Sequence, residues 1–347
     1  MRAGLAAGGA RRRAKWARYT DEQLLDLRLC DLKLPLRGTV LERRVAQVRR
    51  ELEHRGLRFR PHFWLSDEWF TPDGVAGAAI PFYLAHPRLT RLEENQVLEA
   101  EGRTRKWCMQ LLRHEVGHAI CNAYRLNRRR DWRETFGKSS QPYPKSYVPK
   151  PYSRRFVIHL GYWYAQSHPT EDFAETFAVW LTPRLRWRQR FAGWPALRKL
   201  HYVDGLMKEI ARKRPVAGGR EVVHPLREIR TTLRTHYRRK RQRYVTDLPK
   251  VYDRDLQRLF DESGPPRREL AARFLQRMRP ELRRLVARWT GAYRYTIDQV
   301  FRDMIRRCRE LKLRVSRPEE ETKLEMAILL SVHAVRYLNS GYHEVAL

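Results

Sequence analysis

The sequence predicts an α+β fold in the first half of the chain and a mainly helical fold in the second half. Residues 58–65 and 78–84 are rich in apolar and aromatic side chains, and turn residues separate them, which predicts two strands. Residues 105–124 carry apolar side chains at spacings of three and four, as in a buried helix. The same helical periodicity recurs after residue 225. We therefore expect a small sheet with an edge strand among helices, followed by a helical C-terminal region.

The elements before the first strand are predicted from capping and periodicity. Residues 1–18 are rich in Arg, Ala and Gly and are expected to form a disordered basic tail. Thr20 and Gln23 form a capping-box pattern, which favours a short helix that continues to Leu32. Residues 39–55 have Val and Leu along one side and predict a second helix.

The two predicted strands are joined by a turn, and the second strand contains a proline. Residues 71–74 read Thr-Pro-Asp-Gly, which is a turn signal. Pro81 lies within the second predicted strand. Proline cannot donate a backbone hydrogen bond, so a strand that contains it belongs at the edge of a sheet.

Residues 114–118 read His-Glu-Val-Gly-His within the predicted long helix. Positions i and i+4 lie on one helix face, so His114 and His118 can bind the same metal ion. Glu115 is offset by one residue, where it can hold a water without binding the metal. Zinc hydrolases use this arrangement of two histidines, an open coordination position and a general base. The alternative is a chance pair of surface histidines one turn apart.

A third ligand is expected in the helix predicted over residues 169–181. Pro169 is favourable at a helix start, and an apolar stripe follows it. Glu171 and Glu175 are four residues apart and project from one face. One can bind the metal while the other hydrogen-bonds a ligating histidine. The alternative is a solvated acidic first turn.

Together the two motifs resemble a known family. The segment His-Glu-Val-Gly-His is followed about fifty residues later by Tyr-Ala-x-Ser-x-Pro-x-Glu-Asp-Phe-Ala-Glu. This combination resembles the bacterial "putative zinc-binding metallopeptidase" family, of gluzincin type. It is more distantly similar to the catalytic domains of lethal-factor-type toxins. The resemblance covers roughly residues 20–185 and implies a zincin-like fold for a domain expected over residues 19–212.

The resemblance also assigns roles to individual residues. The first Glu of the family's Glu-x-Phe-Ala-Glu segment is the third zinc ligand, which corresponds to Glu171. A Tyr seven residues earlier assists the transition state and corresponds to Tyr164. Glu175 falls at the position that supports a ligating histidine, and Asp172 is a neighbouring candidate for that supporting role.

We therefore expect a zinc metalloendopeptidase that hydrolyses peptide bonds. Zinc is expected on His114, His118 and Glu171, where it lowers the pKa of a bound water. Glu115 is expected to take a proton from this water and pass it to the leaving amine. Tyr164 is expected to donate a hydrogen bond to the developing oxyanion.

Two further histidines are rival ligands. His159 follows a β-branched run, which is more typical of a packed core histidine. His168 directly precedes Pro169 and can line the site, but it ranks below Glu171 as a ligand.

The edge strand offers a candidate binding site for substrate. An exposed strand edge can pair with an extended peptide through backbone hydrogen bonds. Residues 80–84 are the candidate segment, and the alternative is an ordinary edge strand without a ligand.

The chain is strongly basic, with a formal net charge of +33 from 72 Lys and Arg against 39 Asp and Glu. An Arg-rich surface attracts polyanions, and nucleic acid is the first expected partner besides a protein or peptide substrate. The alternative is a compositional excess of Arg, favoured because the basic residues are spread along the chain. Two other function classes stay open: a nucleic-acid-binding protein with a non-catalytic zinc site, and a protease recruited to DNA. SprT-type repair proteases are of the second kind, but their third ligand is a histidine.

The remaining features of the sequence concern the cellular compartment and the domain organisation. Four scattered cysteines with no Cys-x-x-Cys pair argue against disulfides and a zinc ribbon. No window is apolar enough to span a membrane, and we expect a soluble, cytoplasmic protein. A linker is expected at residues 213–220 and a helical domain of unknown role at residues 221–347.

Overall fold

The computed structural model describes residues 14–144, 147, 150, 153–161, 163–217, 219–242, 252–262 and 267–339. Helices account for most of these residues. The α-helices are α1 (Asp21–Leu25), α2 (Val40–His54), α3 (Pro87–Val97), α4 (Arg105–Tyr124), α5 (Arg130–Phe136), α6 (Pro169–Leu181), α7 (Trp187–Arg190), α8 (Ala196–Ile210), α9 (Leu233–Gln242), α10 (Asp253–Leu259), α11 (Ala271–Thr290), α12 (Arg294–Glu310) and α13 (Glu319–Asn339). The strands are β1 (His62–Ser66) and β2 (Gly77–Pro81). Short 3-10 turns are Lys15–Arg18, Leu29–Leu32, Phe82–Ala85, Leu126–Arg128, Tyr164–Gln166 and Leu226–Glu228.

β1 and β2 pair in parallel, and His62 lies opposite Gly77. A glycine is needed there because a Cβ at position 77 would lie 2.5 Å from the His62 carbonyl oxygen. On the other side of β2, Ala79 forms an antiparallel bridge with Phe70 and donates its N–H to the Phe70 carbonyl at 2.8 Å. This small sheet among helices agrees with the α+β prediction.

The second strand is shorter than predicted. It ends at Pro81, and Phe82–Ala85 form a 3-10 turn instead of continuing the strand to residue 84. Residues 80–84 are all buried. Of the two interpretations left open for this segment, pairing with a substrate peptide is therefore wrong, because no strand edge is exposed there.

α4 and α6 cross in close contact, and Gly117 makes the crossing possible. A Cβ at position 117 would lie 2.8 Å from the Cα of Ala174 and 3.1 Å from its carbonyl oxygen. These distances are shorter than normal contacts between such atoms, so only glycine lets the two backbones approach this closely. The crossing brings the motif helix against the helix of the predicted third ligand.

The buried apolar side chains form two main cores. The first contains residues from Trp16 to Tyr237, together with Tyr295 from α12. The second contains residues from Tyr252 to Ala334. Leu226, Ile229, Leu233 and Tyr237 pack with the first core, although the predicted helical domain begins at residue 221. That residues 19–212 and 221–347 fold as separate domains stays a prediction.

The predicted disordered tail extends too far along the chain. Residues 1–13 lie outside the described residues, but Lys15–Arg18 form a 3-10 turn with Trp16 buried. The Trp16 indole N–H donates to the Leu32 carbonyl at 3.1 Å, which fixes this turn against the start of the first core. Within the described part of the chain, none of the helices has the length and apolar character that crossing a bilayer requires.

Candidate metal centre

α4 places the two motif histidines on the face that meets α6. The helix begins after Thr104, whose hydroxyl accepts the Trp107 N–H at 3.2 Å, and its central residues are buried. The ring centroids of His114 and His118 lie 4.8 Å apart, as expected for positions one turn apart. His114 is 3% exposed, so these are not two surface histidines.

α6 places its first turn against the two histidines. Its N-cap is His168, whose Nδ1 accepts the Thr170 N–H at 3.2 Å, and Pro169 occupies the first helical position. The other ring nitrogen of His168 lies 3.0 Å from the Gln141 carbonyl oxygen. His168 is thus a helix cap, and Glu171 in the first turn is the acid that faces α4.

Three side-chain atoms converge between these helices. Glu171 Oε2 lies 2.9 Å from His114 Nε2 and 3.1 Å from His118 Nε2. The two Nε2 atoms lie 3.1 Å from each other. In tetrahedral zinc sites with bonds of about 2.0–2.1 Å, ligand atoms stand about 3.3 Å apart. The triangle of His114, His118 and Glu171 therefore has nearly the size that a shared metal ion requires, and all three can bind one ion.

Glu175 orients His114 from behind. Its Oε1 accepts the His114 Nδ1–H at 2.9 Å, and its Oε2 accepts the Leu160 N–H at 2.8 Å. Because Nδ1 carries the proton in this hydrogen bond, Nε2 is the nitrogen that can lose its proton and offer a lone pair to a metal ion. Glu171 and Asp172 in the first turn are buried, as is Glu175, so the acidic first turn is not solvated.

The charges within the cluster depend on each other. Burial lowers the pKa of His114, but hydrogen bonds with Glu171 and Glu175 outweigh burial and hold this pKa well above its usual value. Burial raises the pKa of Glu171, but the charge of His118 and the hydrogen bonds of both histidines hold it well below its usual value. The buried carboxylate is thus stabilised by a positive partner, a role that a proton or a metal cation can fill.

Glu115 and Tyr164 lie at a cleft beside this cluster. The cleft has a volume of about 890 Å³ and is also lined by His114. Glu115 Oε2 accepts the Thr71 hydroxyl at 2.8 Å, which fixes the carboxylate. The Tyr164 ring lies 5.5 Å from the His114 ring. Burial and the carboxylates of Glu171 and Glu115 raise the pKa of Tyr164 well above its usual value, so its hydroxyl keeps a proton to donate.

Two predicted roles do not fit the contacts. Asp172 pairs with Lys199 at 2.5 Å on α8, so the structure does not bring it to the histidines. A single residue step on a helix rotates the side chain by about 100°, which turns Asp172 away from the face of Glu171. His159 does not join the cluster either, because its Nε2 lies 3.0 Å from the Gln110 carbonyl oxygen.

Two residues that the sequence did not single out complete the site. The Tyr143 hydroxyl donates to Glu171 Oε1 at 3.0 Å, and its ring stacks on His168 at 3.9 Å. Thr71 holds Glu115. No spacing pattern in the sequence marks Tyr143. Thr71 lies in the predicted turn at residues 71–74, but only the fold shows that it contacts Glu115 on α4.

Residues 91–184 match the model of the family described as "putative zinc-binding metallo-peptidase". The matched segment contains both motifs and the whole cluster. No curated protein and no solved structure matches the chain. The resemblance predicted from the two motifs is therefore confirmed for residues 91–184, the segment that matches this family model.

Proposed function

We propose that the protein is a zinc-dependent metallopeptidase that hydrolyses internal peptide bonds. The observation that carries the proposal is the convergence of His114, His118 and Glu171 beside a cleft that also contains Glu115. The family match over residues 91–184 supports it.

The donor set fits zinc. Two imidazole nitrogens and one carboxylate oxygen are a known catalytic zinc set, and three protein ligands leave one position for water. The lone pair of His114 is directed by Glu175, and Tyr143 holds the second oxygen of Glu171. When bound, zinc supplies Lewis acidity that makes a water nucleophilic near neutral pH.

The remaining chemistry belongs to side chains of this protein. Glu115, held by Thr71, is the base that takes a proton from the attacking water and returns it to the leaving amine. Tyr164 keeps its hydroxyl proton and donates a hydrogen bond to the oxygen of the peptide carbonyl as negative charge develops there. The cleft holds the peptide next to these groups.

The test compares wild-type protein with Glu115→Gln, Glu171→Ala and the control Glu134→Gln. Glu134 is exposed, and among the described residues its ion-pair partner is Arg130 on the surface. We expect wild-type and control to bind one zinc ion and to cleave an unfolded protein. Glu115→Gln should keep zinc and lose cleavage, and Glu171→Ala should lose zinc.

Two results would reject the assignment. Full zinc binding by Glu171→Ala would exclude Glu171 as a ligand, and cleavage by Glu115→Gln at the wild-type rate would exclude Glu115 as the base. Repeating the assay with DNA tests recruitment to nucleic acid, which predicts a DNA-dependent rise in cleavage that weakens steeply with salt.

A further inference from the structure

The helical C-terminal region forms one wall of the cleft. Side chains at spacings of three and four along α11 share one helix face. This face lines the cleft that contains the candidate metal site, through Arg284, Ala287, Arg288 and Gly291. Tyr295, at the start of α12, belongs to the first core and joins this wall to the rest of the molecule.

Two arginines of α11 both line the cleft and have no described acidic partner. Arg277 pairs with Glu269 and Glu319, while Arg279 and Arg283 share the buried carboxylate of Asp298. Among the described residues, Arg284 and Arg288 form no ion pair although both are charged and line the cleft. They are one turn apart, so their guanidinium groups project on the same side.

The acidic residues of the same cleft are Glu68, Glu99, Glu101 and Glu115, and none of them has a described ion pair with these arginines. Glu68 pairs with Lys240 at 3.0 Å. Burial raises the pKa of Glu99, and the charge and backbone N–H of Arg294 offset only part of this rise. Burial raises the pKa of Glu101 to about 7, so this side chain is partly protonated at neutral pH. The positive charge left without a partner on this part of the cleft is therefore that of α11.

We propose that Arg284 and Arg288 bind a carboxylate of the peptide substrate and so select acidic peptides. A guanidinium fork matches the two oxygens of a carboxylate, and two forks one turn apart can hold one carboxylate or two adjacent ones. The carboxylate can come from an Asp or Glu side chain or from the C-terminus of the peptide. This inference rests on the proposed peptidase function, because it names the substrate class of the same cleft.

The test measures peptide binding without cleavage. Zinc-loaded Glu115→Gln protein is titrated with labelled peptides of one sequence, in which a single Glu occupies each position in turn. Control peptides carry Gln in place of this Glu and so lack its charge. Each peptide is made with a free C-terminus and with an amidated one. We expect at least one acidic form to bind about tenfold more tightly than its neutral counterpart, since charge-assisted hydrogen bonds at partly exposed sites contribute roughly that much.

Variants at Arg284 and Arg288 test whether this preference for acidic peptides depends on α11. Arg284→Ala with Arg288→Ala should abolish it, and the double Lys variant, which keeps the charges, should retain part of it. Arg273→Ala is the matched control, because Arg273 is exposed on α11, has no described ion pair and does not line the cleft. All three changes lie on the surface, and thermal unfolding confirms that each variant is folded.

The outcomes separate this inference from the proposed function. Equal affinity for acidic and neutral peptides at every position, or a preference that survives the double Ala variant, would overturn the role of α11. A DNA oligomer that binds through Arg284 and Arg288, without any peptide preference, would overturn it in favour of nucleic acid. A preserved acidic preference without cleavage by wild-type protein would reject the peptidase and leave the carboxylate site standing.

Discussion

Replacing Gly117 with alanine should separate the two helices that build the metal site. The added Cβ would lie 2.8 Å from the Ala174 Cα and 3.2 Å from the Ala174 Cβ. Carbon atoms normally approach to about 3.5–4.0 Å, so α4 and α6 must move apart by roughly 0.7–1 Å. The opposing atoms are backbone and a β-carbon, so no change of rotamer can relieve the contact.

Metal binding should respond more strongly than stability. Overpacking costs about 1–3 kcal/mol, but alanine regains about 1 kcal/mol of helix propensity, so the net loss in the free energy of unfolding is about 0–2 kcal/mol. Ligand distances in a working site tolerate shifts of only about 0.2 Å. We therefore expect Gly117→Ala to weaken zinc binding by about a hundredfold or more while the protein remains folded.

The assay is zinc competition against a chromogenic chelator, with denaturant unfolding of the metal-free protein measured in parallel. Gly205→Ala is the matched control, because Gly205 lies within α8, is exposed and has no atom within 4 Å of an added Cβ. It should gain about 1 kcal/mol of stability and bind zinc as wild-type does. Wild-type zinc affinity in Gly117→Ala would refute the reasoning that this close approach sets the ligand geometry.

Three further changes test single groups. Tyr164→Phe should raise the barrier to peptide hydrolysis by about 2–4 kcal/mol with zinc content unchanged, and wild-type turnover would remove Tyr164 from the mechanism. Glu175→Gln should weaken zinc binding about 10–100-fold, because an amide supports the orientation and basicity of His114 less well than a carboxylate does; unchanged affinity in the chelator assay would contradict this. Glu101→Gln should alter the pH dependence of stability. The pKa of Glu101 is about 7 in the folded protein and exceeds its usual value of 4.5, so the proton on Glu101 stabilises the fold fully below about pH 4.5, and this contribution is lost as the pH rises through 7. The melting temperature of wild-type should therefore fall relative to Glu101→Gln between pH 5 and 8, and parallel curves would show that Glu101 does not titrate there.

The metal cluster was predictable because it depends on local helical spacing. His114 and His118 share a face whatever surrounds them, and the same holds for Glu171 and Glu175. Asp172 was misassigned because adjacency in sequence does not mean a shared face on a helix. Its partner Lys199 lies on α8, and the sequence does not predict that α8 packs against α6.

Features that depend on tertiary packing were not predictable. The end of β2 at Pro81 and the burial of Phe82–Ala85 follow from packing on both sides of the segment, which residue alternation does not report. The role of Gly117 was invisible for the same reason. From the sequence alone, Gly117 is only a weak helix former. Its contact with Ala174 is seen only in the folded structure.

The hydrogen bond from Leu160 to Glu175 connects the cleft with the candidate metal site. Leu160 lines the cleft, and its N–H holds one oxygen of the carboxylate whose other oxygen holds His114. A peptide that shifts the backbone at Leu160 therefore changes the basicity of a metal ligand without touching it. Thermodynamic linkage makes this coupling reciprocal, so metal occupancy changes the affinity for the peptide by the same factor.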